Sequence, residues 1–470
     1  GLSREEYVFD KGEAVITAKL SYPAVDMDTA KATLTVRQNA DDPRSTAPGL
    51  SFKYLSPTEI EITRPEGLDS GAIYEFIYTA KDPVATGLGF TATADVVSFL
   101  RGSEGHDVAS PLTDIDNAVA LGISQSGRFL RDFIYQGFNA DEAGAQVFDG
   151  AIAHIAGSRK TYTNYRFAKA GRYSRQHEDH DVQGDQFPFT YPELTDPLTG
   201  RTDGILKECM TTDTCPKIMQ TDTSTEFWQA RAALLSTAPD GTAVDMPENV
   251  RLYFLAGAQH FTGWSSVSKL TDKCQFPTNP VSEAPVMRAL TTHMLNWTTQ
   301  GSEPPASQFP SVSDGTLVPL SELALPDTAD DTYMPVFNVL QVRDHSAVPP
   351  IAGGTYPALV PQLDADGIAM GGVLDPRIAE PLGTYWGWNL RNDGFAEGNL
   401  CGLTGAFLQF PLEANDEDTR TPISARYPDA DSYVKAVTAA SEALIADGLM
   451  LEGDVGYMAE RAQEDFAGLQ

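Results

Sequence analysis

Apolar and polar residues alternate over the first 70 residues of the chain. In ATLTVRQ (32–38) and EIEIT (59–63) every second side chain is apolar, as in strands with one buried face. Ala14–Leu20, Lys31–Arg37 and Glu59–Thr63 are the strands this predicts. Near residue 70 the pattern changes. Ile73–Thr79 (IYEFIYT) reads as a strand, the loop KDPVATGLG follows, and Thr91–Leu100 reads as a helix. Ala118–Ile123 is a short apolar run, after which Phe129, Leu130, Phe133 and Ile134 recur at helical spacing. Val147–Ile155, Pro216–Gln220 and Val250–Ala256 are further strand-like runs, with helical stretches at Glu226–Leu235 and Pro285–Trp297. Strands apolar on both faces, alternating with helices, predict an α/β fold with a mostly parallel central sheet covered on both sides.

Residues 157–215 interrupt this rhythm with a long stretch of Arg, Asp, Tyr, Pro and Gly, which reads as a lid-like insertion. A Pro- and Ser-rich linker occupies 302–315, residues 332–425 are rich in Gly and Pro, and two helices are expected near 431–447 and 454–466. The expected division is a β-rich segment at 1–70, an α/β core at 71–300 and a C-terminal unit at 301–470. No run of about 18 apolar residues exists, so no membrane span is expected.

Charge narrows the partners. With 33 Lys and Arg against 65 Asp and Glu, the net charge is −32, which repels nucleic acid and anionic membranes. A solvated acidic surface is the simpler explanation of that charge; attraction of a cationic substrate would need it focused on a cleft. The four cysteines carry no CxxC spacing and no histidine at zinc spacing. Cys209 and Cys215 lie close enough to close a small ring, leaving Cys274 and Cys401 as the second pair, one of three possible connectivities. Disulfides point to an exported protein, periplasmic or extracellular. The start GLSREEYVFD is neither a signal nor a transit peptide, so the expectation is a mature exported chain, with a cytoplasmic one as the alternative.

The strand AVALGI runs through Ser124, Gln125, Ser126 and Gly127 straight into an amphipathic helix. A serine between a strand and a helix, with small residues two positions either side, is the pattern of a nucleophile elbow. Gly122 and Ser126 hold those positions. Ser126 is the weaker nucleophile candidate because bulky Arg128 follows it. A plain helix N-cap is the competing role for Ser124. The Gln125 N–H, at the helix N-terminus, is the first candidate donor to an oxyanion. A second donor is expected around Lys81–Gly87.

Seven histidines could serve as base: His106, His154, His177, His180, His260, His293 and His345. His260 ends the apolar strand in VRLYFLAGAQH, where a late strand would deliver a general base to the serine. His154 follows the strand after the elbow and is a candidate for the pocket wall. The acid is expected between serine and histidine, and PKIMQTDTSTEFW offers both Asp222 and Glu226. HEDHDVQGD (177–185) groups carboxylates and histidines at no metal-binding spacing, so it reads as a polar loop and no metal is expected.

Several stretches together resemble a family of large bacterial α/β-hydrolase-domain proteins: GISQSGRFLRDFIYQGFN (122–139), FDGAIAHIAGSR (148–159), FPFTYPELTDPLTG (187–200), TDTSTEFW (221–228), LAGAQH (255–260), PLGTYWGWNLR (381–391) and ISARYPDADSYV (423–434). The elbow is also similar to the GFSQGG and GYSQGG elbows of acyl thioesterases and cutinases, in which the first serine attacks. The resemblance implies an α/β-hydrolase fold, with Ser124, Glu226 and His260 as triad and residues 301–470 as a cap. This chain has Asp222 where the pattern has Asn, which leaves Asp222 as the alternative acid. Trp264 and Trp386 join His154 as candidates for the substrate pocket. The implied activity is hydrolysis of a small-molecule or oligomeric carboxylic ester, without a cofactor. An amidase or peptidase using the same triad is one alternative, and a catalytically silent binding protein of the same fold is another.

Overall fold

The computed structural model describes residues 1–102, 108–169, 177, 181–261, 272–326, 333–337 and 339–469. The N-terminal module holds two antiparallel three-stranded sheets. One orders Leu2–Val8, Ile73–Thr79, Thr33–Arg37; the other orders Val15–Lys19, Glu59–Thr63, Ser51–Ser56. Ile73–Thr79 is thus the middle strand of the first sheet rather than the opening of the parallel one. Its Tyr74, Phe76 and Tyr78 form a core with Ile60 and Ile62 of the second sheet. Leu2–Val8 carries no apolar alternation. Its Glu6 pairs with Arg4 at 2.7 Å and Arg37 at 3.0 Å, and its Glu5 with Lys169 at 2.7 Å, so ion pairs hold charge under cover there.

The central sheet has five parallel strands in the order Val373–Leu374, Val250–Ala256, Lys217–Thr223, Gly150–His154, Val119–Ile123. Alternation along the middle strands supplies both faces. Ile152, Met219, Tyr253 and Leu255 pack against Leu290 and Met294 of the helix Ala284–Gln300. Ala151, Ile218, Leu252 and Phe254 share a core with Phe133 and Ile134 of the helix Gln125–Tyr135. The strand leading into Ser124 lies at the edge of the sheet, and Leu121 and Ile123 are 50% and 53% exposed. Sequence reading expected it covered on both faces.

Val373–Leu374, from the C-terminal unit, extends the sheet at the edge remote from the elbow, pairing with Leu255 and Ala256. Two helices, Ala430–Ala446 and Val455–Ala467, close the chain around a separate core that includes Tyr433, Val437 and Met458. The disulfides are Cys209–Cys215 and Cys274–Cys401. No helix among the described residues is long and apolar enough to cross a membrane.

Candidate active site

Ser124 sits between the strand Val119–Ile123 and the helix Gln125–Tyr135 with φ 56° and ψ −112°. A non-glycine residue rarely adopts positive φ, so the turn stores strain of about 1–3 kcal/mol that the flanking elements must hold. They do so through backbone bonds: Ser124 N–H donates to the His154 carbonyl at 2.8 Å, and Arg128 N–H donates to the Ser124 carbonyl at 2.9 Å. The turn is so tight that a Cβ on Gly122 would stand 2.3 Å from the Ser126 carbonyl oxygen. A Cβ on Gly127 would stand 2.8 Å from the His154 carbonyl oxygen. The second position that must stay small is therefore Gly127 rather than Ser126, whose side chain is exposed.

The Ser124 hydroxyl lies 2.9 Å from His260 Nε2, and His260 Nδ1 lies 2.5 Å from Glu226 Oε1. Three residues from three separate strand ends thus form one hydrogen-bonded chain. Its acid end is firmly built. Thr223 caps the short helix Ser224–Gln229, and its N–H at 2.9 Å and its hydroxyl at 2.5 Å both donate to Glu226 Oε2. Ser224 Oγ accepts the Gly257 N–H at 2.8 Å, and Thr225 Oγ1 accepts the His260 N–H at 3.0 Å. The run Thr223–Glu226 therefore ties the loop carrying His260 to the helix carrying the carboxylate. Gln259 and Asn279 brace the same loop, since Asn279 Nδ2 donates to the Gly257 carbonyl and Gln259 Nε2 to the Asn279 carbonyl, both at 2.6 Å. Sequence reading missed Ser224, Thr225 and Asn279. The dense hydroxyl run TSTE after a strand was the available signal for the first two.

Burial acts to raise the Glu226 carboxyl, but the charge and hydrogen bond of His260 and the two Thr223 bonds outweigh it and hold it low. Asp222 goes the other way. Burial and then the Glu226 charge push it up to about 7, against the bonds from Gly157 and Gln220 and the field of Arg131. Asp222 does not meet His260. One of its oxygens accepts the Gly157 N–H and the other the Gln220 amide, each at 2.7 Å. The opposite end of that amide accepts from Arg131 at 2.5 Å and from the Tyr191 hydroxyl at 2.6 Å. Arg131 is a pure donor, so Gln220 turns its NH₂ towards Asp222, whose facing oxygen accepts from it.

Gln125 opens the elbow helix, whose first-turn N–H groups have no acceptor within the helix. Gln125 and Ser126 line a cleft of about 250 Å³ with Thr86, Phe90, Phe129, Thr161 and Thr163. Thr86 belongs to the loop expected to hold the second oxyanion donor. Two expected pocket residues lie elsewhere. His154 is buried, its Nδ1 2.7 Å from Thr221 Oγ1 and its Nε2 3.5 Å from Glu283. Trp386 is buried in the core, stacked on Trp388 at 4.7 Å. Both are large side chains that packing claims before a ligand can. Trp264, His106 and His180 lie outside the described residues. His293 bonds the Gly448 carbonyl at 2.7 Å, and His177 bonds the Gly71 carbonyl at 2.6 Å, both away from the elbow.

A family described as an alpha/beta hydrolase domain matches residues 26–460, nearly the whole chain. The protein belongs to this family. No curated protein and no solved structure matches it. In this alpha/beta hydrolase the match starts inside the N-terminal module and ends within the last helix, Val455–Ala467. The family's description points to a hydrolase, and the five-stranded parallel sheet agrees with an α/β fold.

Proposed function

We propose that the protein is a serine hydrolase that cleaves carboxylic esters. The observation that carries this reading is the unbroken chain from Ser124 through His260 to Glu226. In the first step Ser124 Oγ bonds to the ester carbonyl carbon while His260 Nε2 takes its proton. The carbonyl electron pair moves onto oxygen, where the Gln125 N–H and a donor from the Thr86 loop would receive it. Collapse expels the alcohol oxygen, which leaves with the proton from His260. Water then repeats the sequence on the acyl-enzyme and releases the acid. Glu226 keeps the imidazole oriented and balances its charge when protonated.

The cleft beside the elbow is small and walled by threonines and two phenylalanines, which favours a short acyl group. The two disulfides favour an oxidising compartment, as in an exported protein. The test is labelling with a fluorophosphonate alongside hydrolysis of short-chain p-nitrophenyl esters. The wild-type protein should be labelled once and should hydrolyse them, and Ser124→Ala should do neither. A wild type that takes no label, or a Ser124→Ala protein that labels equally, would overturn the reading.

A further inference from the structure

A second cleft, of about 680 Å³, opens at the other end of the elbow helix, lined by Tyr135 and Gln136. The helix has 11 residues, so this end lies about 16 Å from Ser124. The segment 160–163 divides the two spaces. Thr161 and Thr163 line the cleft at the elbow, and Lys160 and Tyr162 line the larger one. Across the chain acidic residues outnumber basic ones 65 to 33. This cleft holds the cations Lys160, Arg201, Lys207 and Arg343 beside Asp203, Glu208 and Asp344. Arg201, Lys207 and Arg343 are ion-paired with Asp203, Glu193 and Asp181, at 2.5, 3.2 and 2.7 Å.

Lys160 is 2% exposed. Its ammonium donates to the Gln186 carbonyl at 2.8 Å and the Pro188 carbonyl at 2.7 Å, and lies 5.6 Å from the centre of the Tyr135 ring. An ammonium has three N–H donors, and these carbonyls take two. Among the described residues no carboxylate forms an ion pair with it, although buried lysines normally have one. Burial and the neighbouring Arg131 and Arg201 lower it to about 7, with Asp132 and Asp185 opposing. Asp132 and Asp185 act on it from a distance, and neither forms an ion pair with its ammonium.

We propose that this cleft is a binding site for a small organic carboxylate, with Lys160 and Arg201 as its anion contacts and the rings of Tyr135, Phe187 and Tyr356 as its apolar wall. One negative charge suits the site better than the two of a phosphate, because three carboxylates already flank it. The proposal stands independently of the ester-hydrolase reading. An anion beside Lys160 favours the charged amine, so binding at pH 8 takes up a proton.

The test is isothermal titration of the whole protein with benzoate at pH 8, in two buffers of different ionisation enthalpy, with sulfate as the inorganic comparison. Benzoate should bind saturably with uptake of up to one proton per site, and sulfate at least tenfold more weakly. Lys160→Met should abolish both the binding and the proton uptake. Arg201→Gln, at a half-exposed side chain, should weaken binding about tenfold even if the lysine variant fails to fold. No saturable binding at millimolar benzoate, undiminished binding in both variants, or loss of binding when Ser124 is phosphonylated would each overturn the proposal.

Discussion

The middle of the central sheet and its elbow edge contribute to one hydrogen-bonded chain but are packed in opposite ways. Lys217–Thr223 and Val250–Ala256 have a strand on each side and deliver Glu226 and His260 from under cover, at 1% and 6% exposure. Val119–Ile123 has one neighbour and delivers Ser124 from a strand whose Leu121 and Ile123 are half in solvent. The acid–base pair is thus held by the fold as a whole, and the serine by a local turn. Substitutions in the middle should cost stability together with activity. At the edge the two should separate.

The largest effect is expected from Ser124→Ala, which should lower kcat/KM for p-nitrophenyl esters by about 10⁴-fold or more. Alanine keeps the Cβ and therefore the same backbone strain, so stability should stay within about 0.5 kcal/mol of wild type. Glu226→Gln should lower kcat by about 10³–10⁴-fold, because the amide cannot balance a protonated imidazole. It should also cost about 1–3 kcal/mol, since Glu226 Oε2 receives both Thr223 bonds. Paired kinetics and urea unfolding measure this contrast. A Glu226→Gln protein as stable as Ser124→Ala would break it.

Asp222 sharpens the same contrast through pH. Its folded value, about 7, lies above the ordinary 3.8. Its contribution to stability is therefore full in acid and lost as pH rises through about 7. Glu226 is held low, so its contribution is present at neutral pH and disappears only as the pH falls below its ordinary 4.5. Asp222→Asn should set its NH₂ against one of two donors, the Gly157 N–H or the Gln220 NH₂, at a cost of about 1–3 kcal/mol. It should also remove the decline in stability that the wild type shows between about pH 5 and pH 7, inside the window from 3.8 to about 7. Unfolding midpoints at the two pH values test both.

The bases of these predictions were unequally legible in the sequence. Ser124 and His260 stand out because each ends an apolar run, and Val250–Ala256 and Ile73–Thr79 have the predicted limits. Glu226 and Asp222 could not be separated on position, because both follow the predicted strand Pro216–Gln220; the strand in fact runs Lys217–Thr223 and includes Asp222. The difference lies in which partners their oxygens face, Thr223 and His260 or Gln220 and Gly157, and in each pair the second partner is distant in sequence. The predicted helix Glu226–Leu235 is two short helices, Ser224–Gln229 and Ala233–Ser236, with Arg231 at φ 52° between them. Nothing local to that segment signals the break. Leu2–Val8 escaped because its inward positions include charges neutralised by Arg37 and Lys169 from elsewhere in the chain. Pattern reading finds elements whose cover is apolar, and fails where cover is ionic or a residue's role depends on remote partners.

The smallest effect is expected at the exposed edge. Leu255, 3% exposed in the middle of the sheet, should cost about 2–5 kcal/mol when replaced by alanine. Leu121, at the edge, should cost under about 1 kcal/mol for the same change, and Leu121→Lys should keep its kcat/KM within twofold. An edge strand presents unpaired backbone groups, and a lysine there opposes pairing with another chain, so Leu121→Lys should aggregate no more than wild type on concentration. If Leu121→Lys instead unfolds the protein as Leu255→Ala should, the elbow edge is held as firmly as the middle. The stability of Ser124→Ala would then need a cause other than local support of the turn.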